Sequence, residues 1–228
     1  MQTSKLSIKP FSCIVAYCRA NMGIGKAGDL PWPMLKADLS HFAKVTSSKE
    51  SLSHTPSELA SGSLLFNCPL RKKLQAKTEI SDKLNAVVMG RKTWESIPKS
   101  KRPLKNRLNV VLTTKPEDFR KSLEEDSTPQ ENVMVVSDFE QALVELSADQ
   151  GVNEIFVIGG SSLYDMSISG SFKDYCKMII ATRINKKFEC DTFIPELEKL
   201  NTEFVPLHIS ETYSQDDITF DYCFYGNS

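Results

Sequence analysis

Short apolar runs and amphipathic stretches take turns along most of the chain, as expected when strands alternate with helices. The apolar runs predict strands at residues 11–18, 85–89, 107–112, 133–136, 154–158, 178–182 and 220–225. Helical periodicity predicts helices at residues 91–97, 138–146 and 161–166, and another that begins at Pro33. We therefore expect an α/β fold. It would be a three-layer sandwich with a mostly parallel central sheet, helices on both faces and an antiparallel C-terminal strand.

The pattern lapses at residues 46–83, where serines are frequent and no period is sustained. We interpret this segment as a surface insertion with a short helix near residues 70–77. The acidic stretch at residues 124–129 is expected to be a linker. Because the remainder shows no internal repeat, the sequence predicts a single domain over residues 1–228.

One carboxylate stands inside an apolar helical stripe. Leu35, Asp38, Leu39 and Phe42 follow the i, i+3, i+4, i+7 spacing of one helix face. Burying an ionised carboxylate is costly unless a ligand or a cation compensates it. Asp38 is then either a functional group, or a solvated residue at the edge of the face that serves the first helical turn. This stretch alone is compatible with both interpretations.

Residues 23–28 match the G-x-G-x-x-G pattern of dinucleotide-binding proteins. That fingerprint must open a helix, whereas here Pro31 and Pro33 follow. We interpret the stretch as a mobile glycine-rich loop between a strand and a helix, lying over whatever Trp32 and Asp38 face.

Composition excludes several classes of function. The 228 residues include 28 basic and 29 acidic ones, and this balance gives no reason to expect nucleic acid or an acidic membrane as a partner. No apolar run is long enough to span a membrane, and residues 1–10 lack a signal-peptide core. Six scattered cysteines and three unpaired histidines argue against a metal site or a disulfide frame. We expect a cytoplasmic protein with reduced thiols.

Three predicted strand ends carry groups suited to anions, and open α/β sheets bind ligands at such ends. Gly159 and Gly160 precede a helix whose free N–H groups can face a phosphate. The stretch 90–93 adds two cations to the same arrangement, and the stretch 113–115 adds two hydroxyls and a cation. Each alone is compatible with an ordinary surface turn, but the three together favour a dinucleotide with several phosphates.

Several long motifs resemble those of eukaryotic dihydrofolate reductases, in the same order, from about Cys13 to the C-terminus. They are Ile14-Val15-Ala16, Asn21-Met22-Gly23-Ile24-Gly25, Leu30-Pro31-Trp32, the run from Val88 to Pro98, Arg102-Pro103-Leu104, the run from Arg107 to Leu112, the run from Val157 to Tyr164, and Asp191-Thr192-Phe193. The resemblance implies reduction of 7,8-dihydrofolate to 5,6,7,8-tetrahydrofolate with NADPH. Hydride would pass from nicotinamide C4 to pterin C6, with protonation at N5. It also implies antifolate inhibitors as ligands.

The same resemblance assigns roles to residues. Asp38 would orient the pterin and favour its protonation, with Leu30 nearby and with Trp32 and Thr182 completing a polar network through water. The implied substrate-binding residues, with an arginine for the α-carboxylate of the glutamate tail, are Ile14, Val15, Asp38, Leu39, Phe42, Ile97, Leu104, Arg107, Ile158 and Thr182. The implied cofactor-binding residues are Ala16, Ile24, Gly28, Gly90, Arg91, Lys92, Thr93, Leu112, Thr113, Thr114, Lys115, Ile158, Gly159, Gly160, Ser161, Ser162, Leu163 and Tyr164.

Three features depart from the pattern of many animal and fungal relatives. Asp38 stands where these have Glu, the 113–115 strand end reads Thr-Thr-Lys where many have Ser-Arg, and the 46–83 insertion is longer. Together they favour a protist or plant-like enzyme, whose relatives are often fused to a thymidylate synthase domain. Two alternative functions stay open. A pyrimidine reductase of riboflavin synthesis would share the fold but has no need for the Leu-Pro-Trp loop, Asp38 and Arg107. A non-enzymatic nucleotide-binding module would not need Asp38.

Overall fold

The computed structural model describes residues 8–49, 83–197 and 203–227. Most of the predicted surface insertion, including its expected helix near residues 70–77, lies outside these ranges. Thr46 and Ser47, at its approximate start, belong to the last turn of a helix.

All strands of the described part join one sheet. They are β1 (Phe11–Cys18), β2 (Gly23–Gly25), β3 (Leu84–Gly90), β4 (Arg107–Leu112), β5 (Val133–Val136), β6 (Val152–Val157), β7 (Cys176–Ile184), β8 (Thr192–Phe193), β9 (Phe204–Ile209), β10 (Tyr213–Gln215) and β11 (Ile218–Asn227). Eight of them follow the order β10-β11-β7-β1-β6-β3-β4-β5, while β2 pairs with β1 and β8, and β9 pairs with β11. The run from β7 to β5 is parallel, and β11 pairs with β7 in the antiparallel sense. The predicted mostly parallel sheet with an antiparallel C-terminal strand is confirmed.

Helices cover both faces of this sheet. They are α1 (Lys36–Ser47), α2 (Arg91–Ser96), α3 (Pro116–Glu125), α4 (Phe139–Ala148) and α5 (Ser161–Ile168). Apolar side chains of α4 and α5 belong to one core cluster, and those of α2 and α3 belong to the cluster on the opposite face, with Val45 of α1. The predicted three-layer sandwich is therefore confirmed.

Alternation along the strands explains the two clusters. In β1, Cys13 and Val15 face the α4–α5 side, while Ile14 and Cys18 face the α1–α3 side. Each large apolar side chain buried in this way contributes about 1.5–3 kcal/mol. The two-sided burial is why these strands appear in the sequence as continuous apolar runs.

Helix α1 begins later than its sequence pattern predicts, and of the predicted stripe only Leu39 is exposed. Pro33 does not open the helix, because the chain stays extended through Leu35 and helical geometry starts at Lys36. The buried side is formed by Asp38, His41 and Val45, while Leu39 is 42% exposed. Leu39 therefore departs from the predicted apolar stripe, because contacts with the sheet determine which side of the helix is buried.

The glycine-rich stretch is partly ordered rather than a simple loop. Gly23–Gly25 forms β2, which pairs with β1 and with β8. Sequence patterning also missed α3 and the short strands β8, β9 and β10. The predicted linker at residues 124–129 begins inside the last turn of α3.

The cysteines of the described part carry free thiols, as expected. Four of them, Cys13, Cys18, Cys176 and Cys223, are buried, and Cys190 is half-buried. Among the helices that the structure describes, none has the length and apolar character of a membrane span.

Candidate active site

Asp38 is buried on the face of the sheet that α1 covers, at 9% exposure. Its Oδ1 accepts a hydrogen bond of 2.6 Å from the Thr182 hydroxyl on β7. Burial raises the pKa of the Asp38 carboxyl, and the Thr182 bond offsets part of this shift. Of the two earlier readings, the solvated edge residue is excluded. The predicted link between Thr182 and Asp38 is direct rather than through water.

Aromatic groups lie on the same face of the sheet as this carboxylate. Tyr222 on β11 is the strand neighbour of Thr182, and the charge of Asp38 contributes to raising the pKa of the Tyr222 hydroxyl. The His41 ring stacks on Tyr222 with centroids 3.9 Å apart. Trp32 is 4% exposed, and its buried Nε1 has no hydrogen-bond partner in the described part of the protein. An unsatisfied buried donor of this kind fits a site that a ligand or a water completes.

The other end of α1 faces a buried cation. Arg107, the first residue of β4, is 7% exposed, and burial lowers the pKa of its guanidinium. Its Nη1 donates to Thr46 Oγ1 at 2.7 Å and its Nε donates to the Lys105 carbonyl at 3.0 Å. The guanidinium also lies 5.8 Å from the centre of the Phe42 ring. No carboxylate pairs with Arg107 within residues 8–49, 83–197 and 203–227. The structural salt bridge that would compete with a ligand role is therefore not seen there.

The ends of β6 and β3 meet where the sequence predicts an anion site. Gly90 N donates to the Gly159 carbonyl at 2.8 Å. Gly159 has φ +115°, and a Cβ there would lie 3.2 Å from the Tyr164 ring, so only glycine suits the position. Gly160 precedes α5 with no side-chain cap, which leaves the first N–H groups of that helix available to an anion.

The neighbouring strand end adds hydroxyls and a cation. Thr113 is buried, and its Oγ1 accepts a hydrogen bond from Lys115 N at 3.2 Å. The Lys115 side chain is exposed and forms a loose ion pair with Asp118, with 4.0 Å between Nζ and Oδ2. On α2, Arg91 already pairs with Glu95 at 2.6 Å. Since β6, β3 and β4 are adjacent and parallel, all three predicted anion sites lie at one edge of the sheet.

Several predicted pocket residues lie on the face of the sheet that α1, α2 and α3 cover. Leu30 and Leu39 are exposed, and the half-buried members that pack on the same core cluster are Ala16, Phe42, Ile97, Leu104 and Ile158. Ile14 contributes its side chain to this face as well.

Other predicted site residues lie elsewhere. Val15, Leu163 and Tyr164 belong to the core cluster on the opposite face, and the Tyr164 hydroxyl donates to the Ile14 carbonyl at 2.7 Å. Their side chains are structural, because burial in a packed core leaves no surface for a ligand. Ile24 and Leu112 are half-buried against that same cluster, while Gly28, Lys92, Thr114 and Ser162 are exposed.

Sequence reasoning missed Thr46, His41, Asn85 and Tyr222. Thr46 lies eight residues after Asp38, roughly two helical turns, so a longer helical wheel would have placed both on one side. Asn85 is the strand neighbour of Arg107, but only the register shows this. No local signal points to Tyr222.

The fold and this geometry are those of an α/β enzyme with buried ionisable groups facing both ends of α1. A sequence profile of the dihydrofolate reductase family matches residues 69–226, which is more than half of the chain. The chain is 35% identical to dihydrofolate reductase of Aedes albopictus, over 96% of this chain and 97% of that protein. It is also 34% identical to the enzyme of Drosophila melanogaster, over 86% and 85% of the two chains. For that of Rattus norvegicus the identity is 31%, over 94% and 96%. The chain belongs to the dihydrofolate reductase family and is an oxidoreductase of one-carbon metabolism.

Proposed function

We propose that this enzyme reduces 7,8-dihydrofolate with NADPH by hydride transfer to pterin C6 and protonation at N5. The observation that carries the proposal is the buried Asp38 carboxylate, which bonds Thr182 through Oδ1 and has no other hydrogen-bond partner in the described ranges. Its Oδ2 and the remaining lone pair of Oδ1 are left to accept hydrogen bonds from the 2-amino group and N3 of a pterin. Burial raises the pKa of this carboxyl, as is common for side chains that take part in catalysis.

The spacing of Asp38 and Arg107 along α1 would give the substrate its orientation. Asp38 and Thr46 are eight residues apart on this helix, which corresponds to about 12 Å. A pterin held at Asp38 would therefore direct its glutamate tail toward Arg107. The planar fork of an arginine binds a carboxylate through two parallel hydrogen bonds, and burial strengthens such a pair.

The residues at the strand ends fit a cofactor with several phosphates. Close backbone approach at Gly90, Gly159 and Gly160 leaves room for a phosphate, since an added Cβ at Gly90 or Gly160 would meet no atom nearer than 3.5 Å. Thr113 and Lys115 add a hydroxyl and a cation on the next strand end. When bound, NADPH supplies the hydride. Ala16 and Ile158 would then contact the nicotinamide on the side of the pterin.

The test is the reaction itself, with NADPH deuterated at nicotinamide C4. We expect loss of NADPH absorbance that depends on dihydrofolate, and deuterium at C6 of the tetrahydrofolate product. A pyrimidine reductase would oxidise NADPH only with its own pyrimidine substrate, and a binding module would oxidise none. Either result, or deuterium at another carbon, would overturn the proposal.

The cofactor part has a separate prediction at Lys115. Lys115→Glu should weaken NADPH binding by roughly 10-fold at low salt and leave NADH binding unchanged, because only NADPH carries the 2′-phosphate. The matched control is Lys121→Glu, the same charge change on exposed α3 surface. Equal losses for both cofactors, or an equal effect of the control, would mean that Lys115 does not contact the 2′-phosphate.

A cytoplasmic location and binding of antifolates belong to the same proposal. The free thiols at Cys13, Cys18, Cys176, Cys190 and Cys223 are typical of a reducing compartment. A fusion to thymidylate synthase and an origin in a protist or plant-like lineage stay predictions from sequence.

A further inference from the structure

The Thr46 hydroxyl accepts a hydrogen bond from Arg107 and helps to hold its guanidinium in place. The Thr46 Oγ1 accepts from Arg107 Nη1 at 2.7 Å and donates to the Phe42 carbonyl at 2.8 Å. A hydroxyl has one proton, and the Phe42 carbonyl takes it. The oxygen lone pairs are therefore left for the guanidinium, so Thr46 can act toward Arg107 only as an acceptor.

Asn85 fixes the turn of α1 that carries Thr46. Its Nδ2 donates to the carbonyls of Thr46 at 3.1 Å and of Ser48 at 2.6 Å, which are carbonyls that the helix end leaves without partners. Its Oδ1 accepts from Asn153 Nδ2 at 3.1 Å and from Glu154 N at 3.2 Å. Asn85 thus uses both donors and ties the last turn of α1 to β3 and β6.

This arrangement leaves the outer edge of the guanidinium for a ligand. Of the five N–H donors of Arg107, Nε bonds the Lys105 carbonyl and one Nη1 proton bonds Thr46. The second Nη1 proton and both Nη2 protons have no partner among the residues described. Nη1 and Nη2, which form the outer edge of the guanidinium, therefore each keep at least one N–H that can donate to a carboxylate.

We propose that Thr46, held by Asn85, is a positioning residue that fixes the Arg107 guanidinium so that this outer edge meets the substrate α-carboxylate. The inference rests on the proposed function, because it needs Arg107 to bind the glutamate tail. Thr46 itself does not touch the substrate. Its effect is confined to ligands that carry the carboxylate.

The test compares Thr46→Val with Thr46→Ser. Valine keeps the branched shape and removes the hydroxyl, whereas serine keeps the hydroxyl. We expect Thr46→Val to raise the KM and Kd for dihydrofolate roughly 3- to 10-fold, with kcat within twofold of wild type. Thr46→Ser should stay within twofold on all three. A dihydropteridine without the glutamate should bind wild type and both variants alike.

A double-mutant cycle with Arg107→Leu separates positioning from a general effect on the helix. If Thr46 acts through Arg107, Thr46→Val should have no further effect on dihydrofolate binding once Arg107 is replaced. An equal penalty in the Arg107→Leu background, or an equal penalty on the truncated substrate, would overturn the proposal. So would a failure of Thr46→Ser to restore binding.

The positioning role of Thr46 and the tail-binding role of Arg107 predict different results for the two variants. If Arg107→Leu weakens dihydrofolate binding and Thr46→Val does not, the positioning role is wrong and the tail-binding role of Arg107 stands. If Arg107→Leu leaves dihydrofolate binding unchanged, both are wrong, and the substrate tail binds elsewhere.

Discussion

At the scale of single residues, Asp38 and Arg107 are alike, since each is a buried ionisable group with no opposite charge beside it in the described ranges. Such groups cost folding free energy. Burial raises the pKa of Asp38 and lowers that of Arg107, so in each case the folded protein disfavours the charged form. A ligand that carries a hydrogen-bond donor at one end and a carboxylate at the other would relieve both.

Asp38→Asn tests the first of these groups. The amide keeps the shape and can bond Thr182 but cannot support protonation at N5. We expect hydride transfer at pH 7 to fall roughly 10²- to 10⁴-fold. It should recover partly at low pH, where solvent protonates the substrate directly. The variant should be no less stable in urea, because it removes a disfavoured buried charge. Hydride transfer within threefold of wild type would rule out the role of Asp38.

Arg107→Leu tests the second group. Loss of a bidentate, partly shielded pair should weaken dihydrofolate binding by roughly 10- to 100-fold, which is about 1.4–2.8 kcal/mol. NADPH binding should barely change, and Arg107→Lys should recover little, because an ammonium cannot match the fork. A dihydropteridine lacking the glutamate is the control substrate, and a full penalty on it would remove Arg107 from the binding site.

At the scale of elements, sequence patterning predicted most strands well and α1 only in part. The strands between two helical layers need continuous apolar runs, so their identity is local information. The rotation of α1 is not local, because Asp38 bonds Thr182 and His41 stacks on Tyr222, both far away in the chain. Asn85 was missed for the same reason, whereas Thr46 was missed because residue 46 was assigned to the insertion rather than to α1.

Helix α3 was not predicted from the sequence at all. It begins with Pro116 at its first turn, buries only Phe119 and Leu123, and is otherwise charged. So short an apolar stripe is easily read as a polar linker. Packing, including the edge-to-face contact of the Phe119 ring with Trp94 of α2 at 6.1 Å between centroids, stabilises the helix more than its intrinsic helical propensity does.

Helix α4 gives a prediction about stability. Asp138 caps this helix, with its Oδ1 accepting from Gln141 N at 2.8 Å. Asp138→Ala should lower the free energy of unfolding by about 1 kcal/mol, and Asp138→Asn should cost only a few tenths. Urea unfolding provides the measurement, and kcat should be unchanged. An alanine variant as stable as wild type would show that the cap contributes nothing.

At the scale of the whole molecule, stability should depend on pH through His41. Burial, aided by the charge of Lys44, lowers the pKa of His41 from 6.5 to about 4. The unfolded chain therefore binds a proton below pH 6.5 that the folded protein does not bind until about pH 4. Stability is fully present above pH 6.5 and declines as pH falls toward 4.

Comparison of wild type with His41→Phe isolates this contribution, since the phenyl ring can still stack on Tyr222. Between pH 7.5 and pH 5, wild type should lose about 2 kcal/mol more unfolding free energy than the variant. Urea titrations at the two pH values measure the difference. Parallel losses in both proteins would place the pH dependence elsewhere.

Strand β4 serves as a fixed spacer. Arg107 is its first residue and Thr113 follows its last, so the candidate carboxylate and phosphate sites lie at opposite ends of one rigid element. At about 3.3 Å per residue, the two positions are about 20 Å apart. A bivalent inhibitor that joins a carboxylate warhead to a phosphate mimic must match this span. A shorter tether would engage one end only, and a longer one would lose effective concentration.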